Sequence, residues 1–192
     1  MGVHDDAERF QPASIDEWSA WLAAHHADTP GVWLVTHKES SGLAAFDYEE
    51  AIVEALRWGW IDSTQRTVDE QRTMMWYVAR RPGSVWTRRN KMRVATLEAD
   101  GRMQPAGQAA VDAARASGMW TVMDDVEDLV VPDDLAAALG ARPGACEQWD
   151  AFPPSARKPA LAWIVLAKRD ETRAARVANV AESSARGERP RG

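Results

Sequence analysis

The boundary at Gly59 does most to limit what this chain can become. Upstream of it, Asp47 and Glu50 have the spacing of a capping box, and Tyr48, Ala51, Ile52, Ala55 and Leu56 recur at helical intervals. Gly59 stands where a helix wants its left-handed terminal residue, and Trp60 is placed to supply the apolar contact just beyond. From Trp60 the period changes to two, which puts Trp60, Asp62, Thr64 and Arg66 on one face and Ile61, Ser63 and Gln65 on the other. A helix that hands over directly to a strand implies a mixed architecture. Neither strand face is apolar enough for the middle of a core, so this strand is expected at a sheet edge or lining something wet.

The remaining elements follow from similar signals. Ser14 and Glu17 cap a helix whose Ile15, Trp18 and Leu22 share a face, and it stops at the turn residues 28–31. Residues 32–38 form a continuous apolar run between turns and read as a buried strand. Residues 71–80 read as a third strand, joined to 60–66 by a short connection near Val68 to Glu70 in an antiparallel hairpin, although no Gly or Asn marks the turn. A helix with Thr87 as its cap is expected to run to Asp100 and Gly101, and Pro105 opens an alanine-rich helix that closes at Ser117 and Gly118. Beyond the acidic stretch 124–134, helices are expected over about 133–139, 143–151, 155–167 and 170–183. The expectation is an α+β protein: a small antiparallel sheet of about three strands flanked by helices, then an all-helical C-terminal region. The α+β domain is set at 14–119 and the helical region at 131–187, with 1–13 and 188–192 flexible.

Composition narrows the function classes. The net charge of −6 argues against bulk attraction to nucleic acid or anionic lipid. Charge is unevenly spread, however: residues 80–93 carry six positive charges and no negative one, and residues 124–134 carry six negative charges and no positive one. These read either as two solvated surfaces that pair with each other or as a binding feature. The 192 residues hold no apolar run long enough to span a bilayer, and the N-terminus lacks the pattern of a secretion signal, so a cytoplasmic location is expected. Cys146 is the single cysteine and has no histidine near it in sequence, which favours a small packed residue over a nucleophile. Ten tryptophans against three phenylalanines imply a core laced with polar contacts or opening onto a cleft, because a buried indole N–H wants an acceptor.

No phosphate-cradling loop and no nucleophile elbow is present. His25 and His26 diverge on their helix, and His37 with Glu39 makes a thin metal site, so neither a metal nor a cofactor is expected. The richest constellation is Lys38 at the end of the first strand, Trp60, Asp62 and Arg66 on the second, and Arg80, Arg81, Ser84, Trp86 and Asn90 after the third. Guanidinium groups beside aromatic faces suit an anionic or planar ligand. The same residues also suit a structural role, with Asp62 paired to an arginine and the tryptophans filling the core.

Several blocks in order, 54–63, 80–94, 98–107 and 152–177, resemble the YdeI/OmpD-associated family, also called bacteriocin-protection proteins. The resemblance runs from about Ser14 to Ala185. Gly59, Trp60, Ile61, Asp62, Arg66, Arg80, Pro82, Ser84, Trp86, Asn90, Gly101, Arg102 and Met103 match its pattern, while Ala79 and Thr87 stand where proline and serine are common. The resemblance implies a bacterial protein linked to envelope stress or tolerance of antibacterial peptides, and it brings no settled reaction.

The leading expectation is a non-catalytic binding or protection protein, its cleft lined by Trp60, Asp62, Arg66, Arg80 and Trp86 for a small anionic or aromatic molecule or a peptide. An enzyme with Asp62 as general base and Arg66 or Arg80 as anion holder ranks lower, because neighbouring arginines lower a carboxylate's pKa when a base needs it raised. Nucleic-acid binding through 80–93, with Trp86 as a stacking platform, ranks lower again. A polar edge strand also leaves room for a second copy of the chain.

Overall fold

Ser14 accepts a hydrogen bond from the Glu17 backbone N–H and starts helix α1 (Ile15–His25). The structure, a computed structural model, describes residue 4 and residues 6–191. Trp18, Trp21 and Leu22 of α1 are buried, and the Trp18 indole donates to the Ala51 carbonyl on helix α2 (Tyr48–Arg57). The expected capping box closes at both ends: the Asp47 carboxylate accepts from the Glu50 N–H, and the Glu50 carboxylate accepts from the Asp47 N–H. Ala51, Ile52, Ala55 and Leu56 are the buried stripe of α2. Burial of an aliphatic side chain such as Ile52 or Leu56 contributes about 1.5–3 kcal/mol.

Gly59 ends α2 as expected, at φ +75°. Helix α4 (Pro105–Ser117) crosses close to this corner. A Cβ on Gly107 would lie 2.2 Å from the Arg57 carbonyl oxygen, and a Cβ on Gly59 would lie 3.0 Å from that of Ala106. The two glycines are thus the contact that lets α4 approach the end of α2.

Four strands form one sheet in the order β1-β2-β4-β3: β1 (Arg9–Phe10), β2 (Val32–His37), β3 (Trp60–Thr67) and β4 (Arg72–Ala79). The expected antiparallel trio is present, with β4 between β2 and β3. Its fourth member, β1, pairs parallel to β2 and makes the sheet mixed. A strand of two residues has no periodicity to read. The β3–β4 turn is set by Asp69, whose carboxylate accepts from the Gln71 and Arg72 N–H groups, so an aspartate does the work for which no Gly or Asn stood ready.

Register assigns the faces. Val32, Leu34 and Thr36 lie beside Tyr77, Met75 and Thr73, and Tyr77 meets Trp18 edge-on, so this face carries α1 and α2. The other face holds Trp33, Val35, Met74 and Trp76. His4 stacks on the Trp76 ring there, and its carbonyl accepts from the Trp33 indole. Between Asp62 and Gln65 the β3–β4 register shifts at a bulge. Trp60 and Asp62 therefore face the helices, Gln65 and Thr67 do too, and Arg66 turns to the opposite face. The strict alternation expected for Trp60, Asp62, Thr64 and Arg66 is broken at this point.

The chain divides into two compact units. One holds the chain up to Ser84 together with Arg89–Ser117, and so includes most of helix α3 (Arg88–Ala99). The other holds Val85–Arg88 and the chain from Gly118 onward. The second unit is helical as expected: α5 (Asp124–Glu127), α6 (Asp133–Gly140), α7 (Ala145–Ala151), α8 (Pro154–Val165) and α9 (Asp170–Ala185). Leu135, Leu139, Trp149, Leu161, Ile164 and Val180 form its core, with α9 packed on α6, α7 and α8. Helix α9 ends in a Schellman motif at Gly187, and Arg189 donates to the Ser155 carbonyl. Among the described residues, no helix is long and apolar enough to cross a membrane.

Candidate functional site

A cavity of about 570 Å³ opens on the helix-bearing face of the sheet, beside the first turn of α2. Alternation along three strands builds it. Leu34 and Thr36 of β2, Thr73, Met75 and Tyr77 of β4, and Gln65 and Thr67 of β3 all reach the same face. Phe46 and Ala51 close the apolar part, and Ser40 of the short turn after β2 stands at the rim. The lining combines apolar side chains with the hydroxyls of Thr36, Ser40, Thr67 and Thr73, and Lys38, Glu39, Asp47 and Arg66 also border it. Such a surface positions a small organic molecule by shape and a few hydrogen bonds.

Two tyrosines bound the inner end, and they are the only two in the chain. The Tyr48 hydroxyl donates to Asp62 Oδ2 at 2.8 Å. Burial, then the Asp62 bond and charge, push the Tyr48 phenol up to about 12. Burial pushes the Tyr77 phenol higher still, with Asp62 and Tyr48 adding to the effect. Both phenols stay protonated at neutral pH, and Tyr48 serves as a hydrogen-bond donor to Asp62.

The charged groups at the cavity are largely committed elsewhere. Lys38 Nζ donates to the carbonyls of Asp69 and Glu70 at 2.9 and 3.2 Å, and so fastens the β3–β4 turn. Arg66, whose backbone neighbours Gln65 and Thr67 also border the cavity, holds its guanidinium over the Trp33 ring at 4.8 Å on the far face. One Asp47 oxygen is used by the helix cap.

Of the residues singled out from sequence, Lys38 and Arg66 border this cavity. Asp62 joins it through Tyr48. Trp60 is buried in the core, edge-on to Trp21, with its indole donating to the His26 carbonyl. Arg80 follows β4, where its N–H donates to the Gly59 carbonyl, and burial lowers its guanidinium pKa to about 10 against the opposing pull of Asp62. Arg81 and Ser84 close the Pro82–Gly83 turn on each other. Trp86 is buried beside Trp120, 5.0 Å between ring centroids, in the second unit. Asn90 accepts from Arg93 at 2.6 Å. Within the first unit, Trp60 is buried in the core and Arg66 reaches the far face of the sheet, so these two do not line one wall.

The basic run is likewise divided among partners. Arg88 pairs with Asp128 at 2.7 Å and Glu127 at 3.8 Å, within the second unit. Arg89 and Arg93 both bind Glu49, at 2.7 and 2.5 Å. The hydrogen bond from Arg93 is the main reason the Glu49 carboxyl drops to about 2.

Sequence reasoning missed Tyr77, Thr36, Phe46, Thr73 and Met75, and it placed Tyr48 in the apolar stripe of α2. Tyr48 is 43% exposed and points its hydroxyl at Asp62. The available signal was that both tyrosines lie opposite strand residues of unusual polarity. Among the described residues no cluster of histidine, cysteine or acidic side chains is arranged to hold a metal ion.

The family described as Domain of unknown function (DUF8412) matches residues 10–110, more than half of the chain. The chain belongs to that family. The family Bacteriocin-protection, YdeI or OmpD-Associated matches residues 128–187, so the expected kinship with the YdeI/OmpD-associated proteins is found in the C-terminal helices. The resemblance expected across Ser14 to Ala185 thus divides between two families, and the cavity lies wholly within the DUF8412 match. No curated protein and no solved structure matches the chain.

Proposed function

We propose that the N-terminal unit is a non-catalytic small-molecule-binding module, working in the cytoplasm in a chain that also carries a helical region of the YdeI/OmpD-associated type. The ligand is a compact, uncharged molecule with an aromatic or otherwise apolar body and one or two hydrogen-bonding groups. The observation that carries this reading is the cavity of about 570 Å³, apolar at Leu34, Phe46, Ala51 and Met75 and edged by neutral hydroxyls. An anionic ligand fits less well, because Lys38 turns two of its three donors to backbone carbonyls and the carboxylates of Glu39 and Asp47 also border the cavity. Catalysis fits less well too, since Asp62 already accepts from Tyr48 and the phenol is held protonated. The description of the C-terminal family suggests protection from bacteriocins as the setting, with the bound molecule as the signal or the toxic species removed.

Nuclear magnetic resonance of the methyl groups, with a library of aromatic fragments, tests this directly. Binding is expected to shift Leu34, Thr36, Ala51, Thr73 and Met75 together. Ser40→Trp, an exposed position at the rim, is expected to abolish the shifts while leaving the spectrum of the core intact. Shifts scattered over the surface, or unchanged by Ser40→Trp, would sink the proposal.

A further inference from the structure

We infer that a second site, a groove between α2 and α3, takes a small organic oxyanion with an apolar body. It stands apart from the cavity reading and rests on different residues. The groove has a volume of about 340 Å³ and a floor formed by Val53, Met92 and Leu97. Met92 is 65% exposed, an apolar side chain left in water beside a cluster of cations. Arg89 stands at the Glu49 end of the groove and Arg102 at the Glu54 end. The two glutamates are five positions apart, about 7.5 Å along a helix at 1.5 Å per residue.

Charge in the groove does not balance. Arg57, Arg89, Arg93 and Arg102 contribute four guanidinium groups to this network, against the two carboxylates Glu49 and Glu54. Glu54 is nearly fully buried and is already bound by Arg57 through both oxygens, at 2.6 and 2.9 Å. That leaves Arg102 with an ion pair of 3.8 Å, beyond hydrogen-bonding distance, and a side chain that is 50% exposed. Glu49 is shared between Arg93, which takes both its oxygens, and Arg89, which is 69% exposed and donates one bond. A guanidinium has five N–H donors, so Arg89 and Arg102 keep most of theirs for a ligand. Spare guanidinium donors at both ends of an apolar floor are the complement of a carboxylate or phosphate joined to a short hydrocarbon. Neither half alone matches the groove: a bare anion leaves Met92 and Val53 wet, and an apolar molecule leaves the excess cations uncompensated.

Arg102→Gln and Arg89→Gln test the site, because both side chains are half exposed or more and each can be checked for an unchanged melting temperature. The probes are hexanoate, hexylamine and inorganic phosphate, followed by methyl resonances of Val53, Met92 and Leu97. Hexanoate is expected to saturate these shifts, to weaken with added salt, and to lose about fivefold to tenfold in affinity in either variant. Inorganic phosphate is expected to compete with hexanoate. Equal shifts from hexylamine, or hexanoate binding that neither variant weakens, overturn the site. Phosphate binding without any hexanoate shift overturns the apolar half of the assignment.

Discussion

The phenol of Tyr48, on the first turn of α2, donates to the carboxylate of Asp62, on the edge strand, at 2.8 Å. The bond joins a helix terminus to a strand fourteen residues away and fixes Tyr48 in the cavity lining. It also brings Tyr48 under Arg93, whose guanidinium carbon lies 5.9 Å from the ring centre. Arg93 is in turn held by Glu49 and Asn90. Tyr48, in the wall of the cavity, thus lies against Arg93, which borders the basic groove.

With Tyr48 and Tyr77 the only tyrosines, phenolate absorbance reads this wall without background. Burial and Asp62 hold Tyr48 at about 12, so the folded protein is expected to show little phenolate near pH 10, where free tyrosine is half ionised. Asp62→Asn is expected to move the Tyr48 transition toward lower pH. A phenol pKa raised by folding stabilises fully below the unfolded value and loses that share as pH climbs to 12. The stability difference between wild type and Tyr48→Phe should therefore be flat below pH 10 and shrink between pH 10 and 12. A difference that grew over that window would show the sign to be wrong.

Glu49 behaves in the opposite sense. Its carboxyl drops from 4.5 to about 2, mainly through the Arg93 hydrogen bond and against the cost of burial. A depressed carboxylate stabilises fully above the unfolded value and loses that contribution as pH falls through the folded one. Urea denaturation of wild type and Glu49→Gln should show a constant gap above about pH 4.5 that closes as pH approaches 2. A gap unchanged at pH 2.5 would mean that Glu49 is not held by Arg93 in solution.

How much of this was legible in the sequence depended on distance along the chain. The Asp47–Glu50 box, the stop at Gly59, Pro105 at the head of α4 and the C-terminal helices were readable because each is a local signal. The face of Arg66 was not. Ser63 and Thr64 carry no glycine to announce a bulge, and the slip is decided by pairing with β4. Thr36, Thr73 and Met75 were missed for a related reason, since only sheet register brings them together. Trp60 and Trp86 stand out in the sequence as walls of a site, and the structure buries each against another tryptophan.

The corner at Gly59 and Gly107 offers a test of packing. A methyl group on Gly107 would collide with the Arg57 carbonyl at 2.2 Å, so Gly107→Ala should cost about 1–3 kcal/mol of overpacking. Gly59→Ala should cost about 1–2 kcal/mol through its left-handed backbone, before any contact is counted. Denaturant titration of the two single variants measures both. A neutral Gly107→Ala would mean that α4 stands further from α2 than the structure has it.

In the helical unit, Leu161 is fully buried among Leu135, Trp149 and Ile164. Leu161→Ala should lower stability by about 2–5 kcal/mol, the range for truncating a large core aliphatic. Unfolding followed by circular dichroism gives the value. A loss below 1 kcal/mol would place Leu161 at a loosely filled position.

The bulge between Asp62 and Gln65 has one more effect. Strand β3 is the outer member of the sheet, and its free edge would otherwise present a straight ladder of amide and carbonyl groups to any passing chain. One slipped register and a run of exposed Ser63, Thr64 and Gln65 bend and solvate that edge, which makes it a poor template for a further strand. The irregularity that redirects Arg66 thus also interrupts the regular geometry of the outer strand.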